Sequence, residues 1–183
     1  MIFHKQDIEG CFIIEPEPFK DERGVFRRNY CLREFKDNGL CSDVMNANIS
    51  ENFKKYTFRG FHYQTAPYRE AKTLTCIKGS IVDIIIDLRP ESPTYLQYKF
   101  WACDEVGRLS IHVPAGCANA FLTLEDNTVV HYYVSEFYSP KHEKGIRYND
   151  PIFGKYGILP VGVGESNLVI SDKDRSWPDY EKA

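Results

Sequence analysis

The chain has 183 residues, near-average apolar and charged fractions, and a formal net charge of −3. That length accommodates one domain, residues 1–183, with a substantial hydrophobic core. The slight negative charge argues against a nucleic-acid or membrane surface.

Twelve tyrosines and twelve phenylalanines favour a β-rich fold. The N-terminal "MIFHKQDIEGCFIIEPEPF" has charges on both sides of a very short apolar run, so no signal peptide is expected. Within it "CFIIEPEPF" predicts a strand that stops near Pro16 and Pro18. "DERGVFRRNYC" predicts a polar turn around Gly24 leading into another strand. "LREFKDNG", with Leu32 and Phe35 three apart and Asn38-Gly39 at its end, predicts a short helix with a glycine stop.

"KTLTCIKGSIVDIIIDLRP" reads as a hairpin, two β-branched runs around "KGS". "YLQYKFWACDEVGRLSIHVP" repeats the pattern around "DEVG", and "CANAFLTLEDNTVVHYYVSEFY" around "EDN". "SNLVISDKDRSWPDY" predicts one more short strand and a polar end. Many antiparallel strands without a long helix indicate a jelly-roll sandwich or barrel, whose mouth or interior suits a small ligand. The longest apolar runs are too short to span a bilayer. Strand parity sets Lys72, Leu74 and Cys76 on one face, and Tyr132 with Val130 and Val134 on another. A lysine on an apolar face either snorkels to water at the strand end or is functional.

The six cysteines are scattered without a CxxC pair, so neither a zinc site nor a disulfide framework is indicated, and reduced cytoplasmic thiols are expected. The five histidines form no His-x-His pair, so nothing favours a metal. No nucleophile elbow or phosphate-cradling loop of the GxxxxGK[ST] type is present. General acid–base chemistry remains: imidazole titrates near neutrality, and His62 in "YTFRGFHYQT" is either a structural strand residue or a base. A carboxylate on one ring nitrogen would fix its tautomer, and the chain offers twenty-six acidic residues for that position.

Several motifs, in order and at matching spacing over nearly the whole chain, resemble the dTDP-4-dehydrorhamnose 3,5-epimerase family of RmlC-like cupins. "DERGVFRR" resembles its D-x-R-G-x-F segment, "NIS" (48–50) its N-x-S, and "FRGFHYQ" its R-G-hydrophobic-H-aromatic. "AKTLTCIKGSIVDIIIDLRPESPTY" resembles its K-x3-C/V-x2-G-x3-D-x3-D-x-R-x2-S-P-T. "VPAGCANAF", "YYVSEFYSP" and "ISDKD" resemble the later blocks. The resemblance implies a mainly β cupin barrel, a homodimer with exchanged N-terminal strands, and catalysis without metal or organic cofactor. It implies a nucleoside-diphosphate 4-keto-6-deoxyhexose as substrate, epimerised through an enolate at C3, C5 or both. It assigns His62 as base, Asp174 as the carboxylate that orients it, with Asp172 the nearby alternative, Tyr132 as acid on the opposite face, and Lys72 as stabiliser of the enolate oxygen. Arg23 and Arg59 are expected at the diphosphate, Phe26 and Tyr138 along the nucleotide or sugar pocket, and Asn48 among the substrate contacts.

Three positions depart from the family pattern. Asn119 stands where histidine is usual; asparagine donates hydrogen bonds but carries no charge. Asn46 replaces a glutamine. Arg28 replaces a glutamate that would accept from thymine N3–H; arginine only donates, which points from dTDP toward CDP. A catalytically silent sugar-nucleotide binder of the same fold is the alternative in another class; a ketoisomerase fits less well, because the "RGFHYQ" context does not resemble that of such relatives.

Overall fold

The computed structural model describes residues 1–153 and 158–182. In chain order the elements are β1 (Ile2–Lys5), β2 (Phe12–Glu15), β3 (Phe19–Asp21), β4 (Gly24–Phe26), α1 (Leu32–Asp37), β5 (Asn46–Asn52), β6 (Phe58–Gln64), β7 (Lys72–Lys78), β8 (Ser80–Asp87), β9 (Tyr98–Asp104), β10 (Ser110–Val113), β11 (Cys117–Thr123), β12 (Thr128–Val134), β13 (Glu143–Gly145) and α2 (Asp172–Arg175). A six-stranded sheet runs β1-β2-β10-β7-β12-β5 and a five-stranded sheet runs β13-β6-β11-β8-β9. β3 and β4 form a separate two-stranded ribbon.

Alternation decides what each sheet buries. Leu74, Cys76, Ile111, Val113 and Val130 of the six-stranded sheet meet Ile81, Ile85, Cys103, Cys117 and Phe121 of the five-stranded sheet in one buried cluster. The cluster therefore lies between the sheets, the arrangement of a double-stranded β-helix. The intervening residues Ile84, Ile86, Ala118, Ala120 and Leu122 point outward, under the C-terminal segment with Leu168 and Tyr148. Phe35 of α1 covers the outer face of the six-stranded sheet with Ile14, Leu40 and Tyr133. That helix ends as its sequence requires, with Gly39 at φ +74.

The three expected hairpins are not hairpins. β7 lies in one sheet and β8 in the other, and the same holds for β9 and β10 and for β11 and β12. The turn chemistry is real: Gly79, Arg108 and Asn127 sit at φ +77, +58 and +56. What the local residues do not encode is the sheet that receives the next strand. At Gly79 a Cβ would stand 2.6 Å from Thr128 Oγ1, so only glycine lets the chain fold over into the opposite sheet there. The consecutive strands that do pair are β1 with β2, β3 with β4, and β8 with β9. The expected C-terminal strand is likewise reduced, to a single parallel bridge between Thr57 and Val169, followed by the four-residue α2.

All six cysteines carry free thiols. Burial pushes the Cys76 thiol up to about 11 and that of Cys117 up to about 12, so both pack as small apolar groups. No helix among the described residues is long and apolar enough to cross a membrane.

Candidate active site

The motif "FRGFHYQ" occupies β6, and its register with β11 is irregular. His62 lies opposite Asn119 and Arg59 opposite Phe121, so three steps along β6 match two along β11. Strict alternation would send residues three apart to opposite faces. The extra residue makes a bulge, and Arg59 and His62 both face the space between the sheets while Phe58 and Phe61 enter the outer cluster. Gly60 makes the close approach there. Its φ is +132, and a Cβ would stand 2.5 Å from Ala120 Cβ and 2.7 Å from the Asn119 carbonyl oxygen.

The resulting cavity of about 170 Å³ is walled by Arg59, His62, Lys72, Asn119 and Tyr132, over an apolar floor of Leu74, Phe121 and Val130. His62, Lys72 and Tyr132 also face an outer vestibule of about 320 Å³ with Asn46, Asn48, Glu70, Tyr138 and Glu143. The alternation of β5 delivers Asn46, Asn48 and Ser50 to the cavity wall, and Asn52, next on that face, accepts Arg59 Nε at 2.7 Å.

Asp174 arrives from the C-terminal segment. Phe58 N–H donates to the Val169 carbonyl and Val169 N–H to the Tyr56 carbonyl, at 2.8 and 2.9 Å, which dock the segment beside β6. Ser171 caps α2 by accepting Asp174 N–H at 3.1 Å. Asp174, 5% exposed, then lies 2.7 Å from His62 Nε2 through Oδ1 and takes Gly60 N–H on Oδ2 at 3.4 Å. Burial works to raise its pKa, but the imidazole, the Gly60 amide and Ser171 outweigh it and hold the carboxyl below the ordinary value. Asp172 is exposed. Because an ionised carboxylate only accepts, His62 Nε2 carries the proton, and Nδ1 holds the ring's free lone pair.

Lys72 does not snorkel. Its side chain is 16% exposed and its ammonium lies 2.9 Å from Glu70 Oε1, while Gln64 donates to the other oxygen at 3.2 Å. Burial raises the Tyr132 phenol; the Arg59 guanidinium opposes it, and Glu70 adds a smaller upward effect. No group among the described residues hydrogen-bonds to the Tyr132 hydroxyl. Tyr138 donates to Glu143 at 2.6 Å, and Lys173 binds the same carboxylate.

Three expected site residues lie elsewhere in the chain. Arg23 is tied to Asp21 at 2.5 Å, Arg28 to Glu34 at 2.7 Å, and Phe26 is 72% exposed. All three belong to the β3–β4 ribbon or its exit, and within one chain none reaches the His62 cavity. Sequence reasoning gave no site role to Ser50, Asn52, Glu70, Asp83 and Glu143, although Ser50 and Asp83 stand at motif positions. Alternation from Asn48 could have found the first two; the other three are brought in by contacts that no local pattern encodes.

The sequence model of the dTDP-4-dehydrorhamnose 3,5-epimerase family matches residues 5–182. The dTDP-4-dehydrorhamnose 3,5-epimerase of Methanothermobacter thermautotrophicus is 34% identical over 175 residues, covering 96% of this chain and 92% of that protein. The Bacillus anthracis dTDP-4-dehydrorhamnose 3,5-epimerase, solved with TDP and PPi bound, superposes with a TM-score of 0.90 at 31% identity, covering 98% and 99% of the two chains. A 3'-monoepimerase from Streptomyces bikiniensis, solved with dTDP-quinovose, superposes with a TM-score of 0.86 at 27% identity, covering 96% and 86%.

Proposed function

The chain belongs to the dTDP-4-dehydrorhamnose 3,5-epimerase family, and from that premise we propose how its residues divide the reaction. The enzyme epimerises a nucleoside-diphosphate 4-keto-6-deoxyhexose at C3/C5. The C4 ketone acidifies the neighbouring C–H bonds, because the carbanion delocalises into an enolate. His62 Nδ1 removes the proton while Asp174 stabilises the imidazolium that forms. Tyr132, kept as a phenol by its burial, returns a proton to the opposite face, so the centre inverts. Lys72, fixed by Glu70, stabilises the enolate oxygen. Arg59 meets the diphosphate with the guanidinium nitrogens that Asn52 leaves free, and Asn46, Asn48 and Tyr138 line the approach. The observation that carries this division is His62, backed by Asp174, facing one cavity with Lys72 and Tyr132.

The remaining residues are accounted for by a homodimer with exchanged N-terminal strands. The β3–β4 ribbon exposes Phe19 and Phe26 at 75% and 72%, an apolar surface that an isolated chain leaves in water. In the dimer the ribbon carries Arg23, Phe26 and Arg28 to the cavity of the second copy. Two pyrimidine nucleotides suit that end of the site. The donors of Arg28 favour the N3 and O2 acceptors of cytosine in CDP; Glu34, which holds Arg28, offers an acceptor for thymine N3–H in dTDP.

Solvent exchange tests the reading. The chain is incubated in D₂O with dTDP- and CDP-4-keto-6-deoxyhexoses, and C3–H and C5–H are followed by proton NMR. Deuterium at C3, C5 or both identifies the inverted centre, and the preferred nucleotide identifies the base. No incorporation from either nucleotide sinks the proposal. Sedimentation at micromolar concentration giving only monomer removes the exchanged dimer.

A further inference from the structure

One polar pair beneath the cavity has no part in the proton transfers above. Asp83 of β8 is fully buried on the face shared with Ile81 and Ile85. Its Oδ1 accepts Asn119 Nδ2 at 2.8 Å, and its Oδ2 has no partner among the described residues. The same Asn119 nitrogen donates to the Ile84 carbonyl at 3.2 Å, with the Ala120 carbonyl at 3.5 Å. The donating end of the amide is therefore held by protein acceptors under the cavity. No donor among the described residues reaches Asn119 Oδ1, although Asn119 lines the cavity beside His62, its partner on the neighbouring strand.

The orientation is enforced. Turning the amide over would set its oxygen against the Ile84 carbonyl, which has no proton to offer in any state, and against Asp83 Oδ1. Burial, opposed by Asn119 and Lys72, pushes the Asp83 carboxyl up to about 7, yet the Ile84 carbonyl holds the amide whether or not Asp83 is charged. Asn119 thus donates to the protein, and the group it leaves for the cavity is its carbonyl oxygen, an acceptor. An acceptor has nothing to give an enolate or diphosphate oxygen. The hydroxyls at C2 and C3 are the donors on the ring of a 4-keto-6-deoxyhexose. We infer that Asn119, oriented by Asp83 and Ile84, is a specificity-determining residue whose Oδ1 accepts a hydrogen bond from the C2 or C3 hydroxyl of the substrate. This rests on the sugar-nucleotide reading above.

The test compares kcat/KM for deuterium exchange, at the centre the wild type labels, among the 4-keto-6-deoxyhexose and its 2-deoxy and 3-deoxy counterparts on the preferred nucleotide. The wild type loses about tenfold or more with one of the two deoxy substrates, because Oδ1 is then left unpaired. Asn119→Leu loses a similar factor with the parent substrate and treats it and that deoxy substrate alike to within about twofold. Near-equal use of all three substrates by the wild type overturns the inference without any variant having to fold, as does discrimination that persists in the leucine variant. Absence of exchange with all three overturns the sugar-nucleotide reading and this inference with it.

Discussion

His62 Nε2 lies 2.7 Å from Asp174 Oδ1, a contact that closes across 112 positions of the chain. The Asp174 carboxyl is held below its ordinary value because the imidazole, the Gly60 amide and the Ser171 cap favour the ionised form over the cost of burial. The pair joins a strand of the sandwich to a segment that contributes only one bridge to any sheet, so the site depends on how the C-terminal segment docks.

Replacing His62 by asparagine is expected to lower solvent exchange by about 10²–10⁴-fold at every centre the wild type labels. Asp174→Asn is expected to lower kcat with KM little changed, since the substitution alters the tautomer and orientation of the imidazole rather than the sugar contacts. Proton NMR in D₂O measures both, and wild-type exchange in the His62 variant would remove it from the mechanism.

Gly60→Ala is expected to destabilise the chain by about 2–4 kcal/mol in urea unfolding, because the new methyl enters both Ala120 and the Asn119 carbonyl at a φ that alanine resists. Adding Ala120→Gly recovers only part of the loss, since the backbone contacts at 2.6 Å to the residue-120 Cα and 2.7 Å to the Asn119 carbonyl remain. Full recovery in the double variant would show that these backbone contacts cost nothing.

Asp83 supplies a pH signature of opposite sign to most carboxylates. Its pKa rises on folding from 3.8 to about 7 through burial, so between those values the native chain binds a proton that the unfolded chain has released. Stability attributable to Asp83 therefore falls as pH rises across that window. Asp83→Asn removes the dependence: relative to wild type, the variant gains stability from pH 4 to pH 8, by up to roughly 4 kcal/mol. A difference independent of pH in chemical denaturation would mean that the carboxyl is ionised throughout.

Asp87 is expected to act on stability alone. Fully buried, it accepts Arg89 N–H, Nε and Nη2 at 3.0, 2.8 and 2.8 Å and the hydroxyls of Ser92 and Thr94 at 2.6 and 2.7 Å. The run "DLRPESPT" is thus a knot of hydrogen bonds that fixes the loop between β8 and β9. Asp87→Ala leaves the Arg89 charge uncompensated and is expected to cost about 3–5 kcal/mol. Exchange activity at low temperature, where the chain stays folded, is expected to survive; its loss in folded protein would draw Asp87 into the site.

Much of this was legible in the residues. β-branched and aromatic runs, Pro16, the Asn38-Gly39 stop and the polar turns located the strands and the helix, because these depend on local backbone preference. Alternation placed Lys72 with Leu74 and Tyr132 with Val130 on the inner faces, and the ordered motifs identified the family. Other features rest on contacts between distant segments. The turns at "KGS", "DEVG" and "EDN" send the chain to the opposite sheet instead of back along the same one, because the partner of each new strand lies far away in sequence. Arg59 and His62 share a cavity only because β6 carries one residue more than β11 between them. Motif position favoured Asp174 over Asp172, but only the docking of α2 brings its carboxylate to His62, and Asn119 is made an acceptor by a carboxyl and a carbonyl on the neighbouring strand. Sequence determined which chemical groups are available and on which strands; packing between strands far apart in the chain decided which of them meet and which atom each one presents.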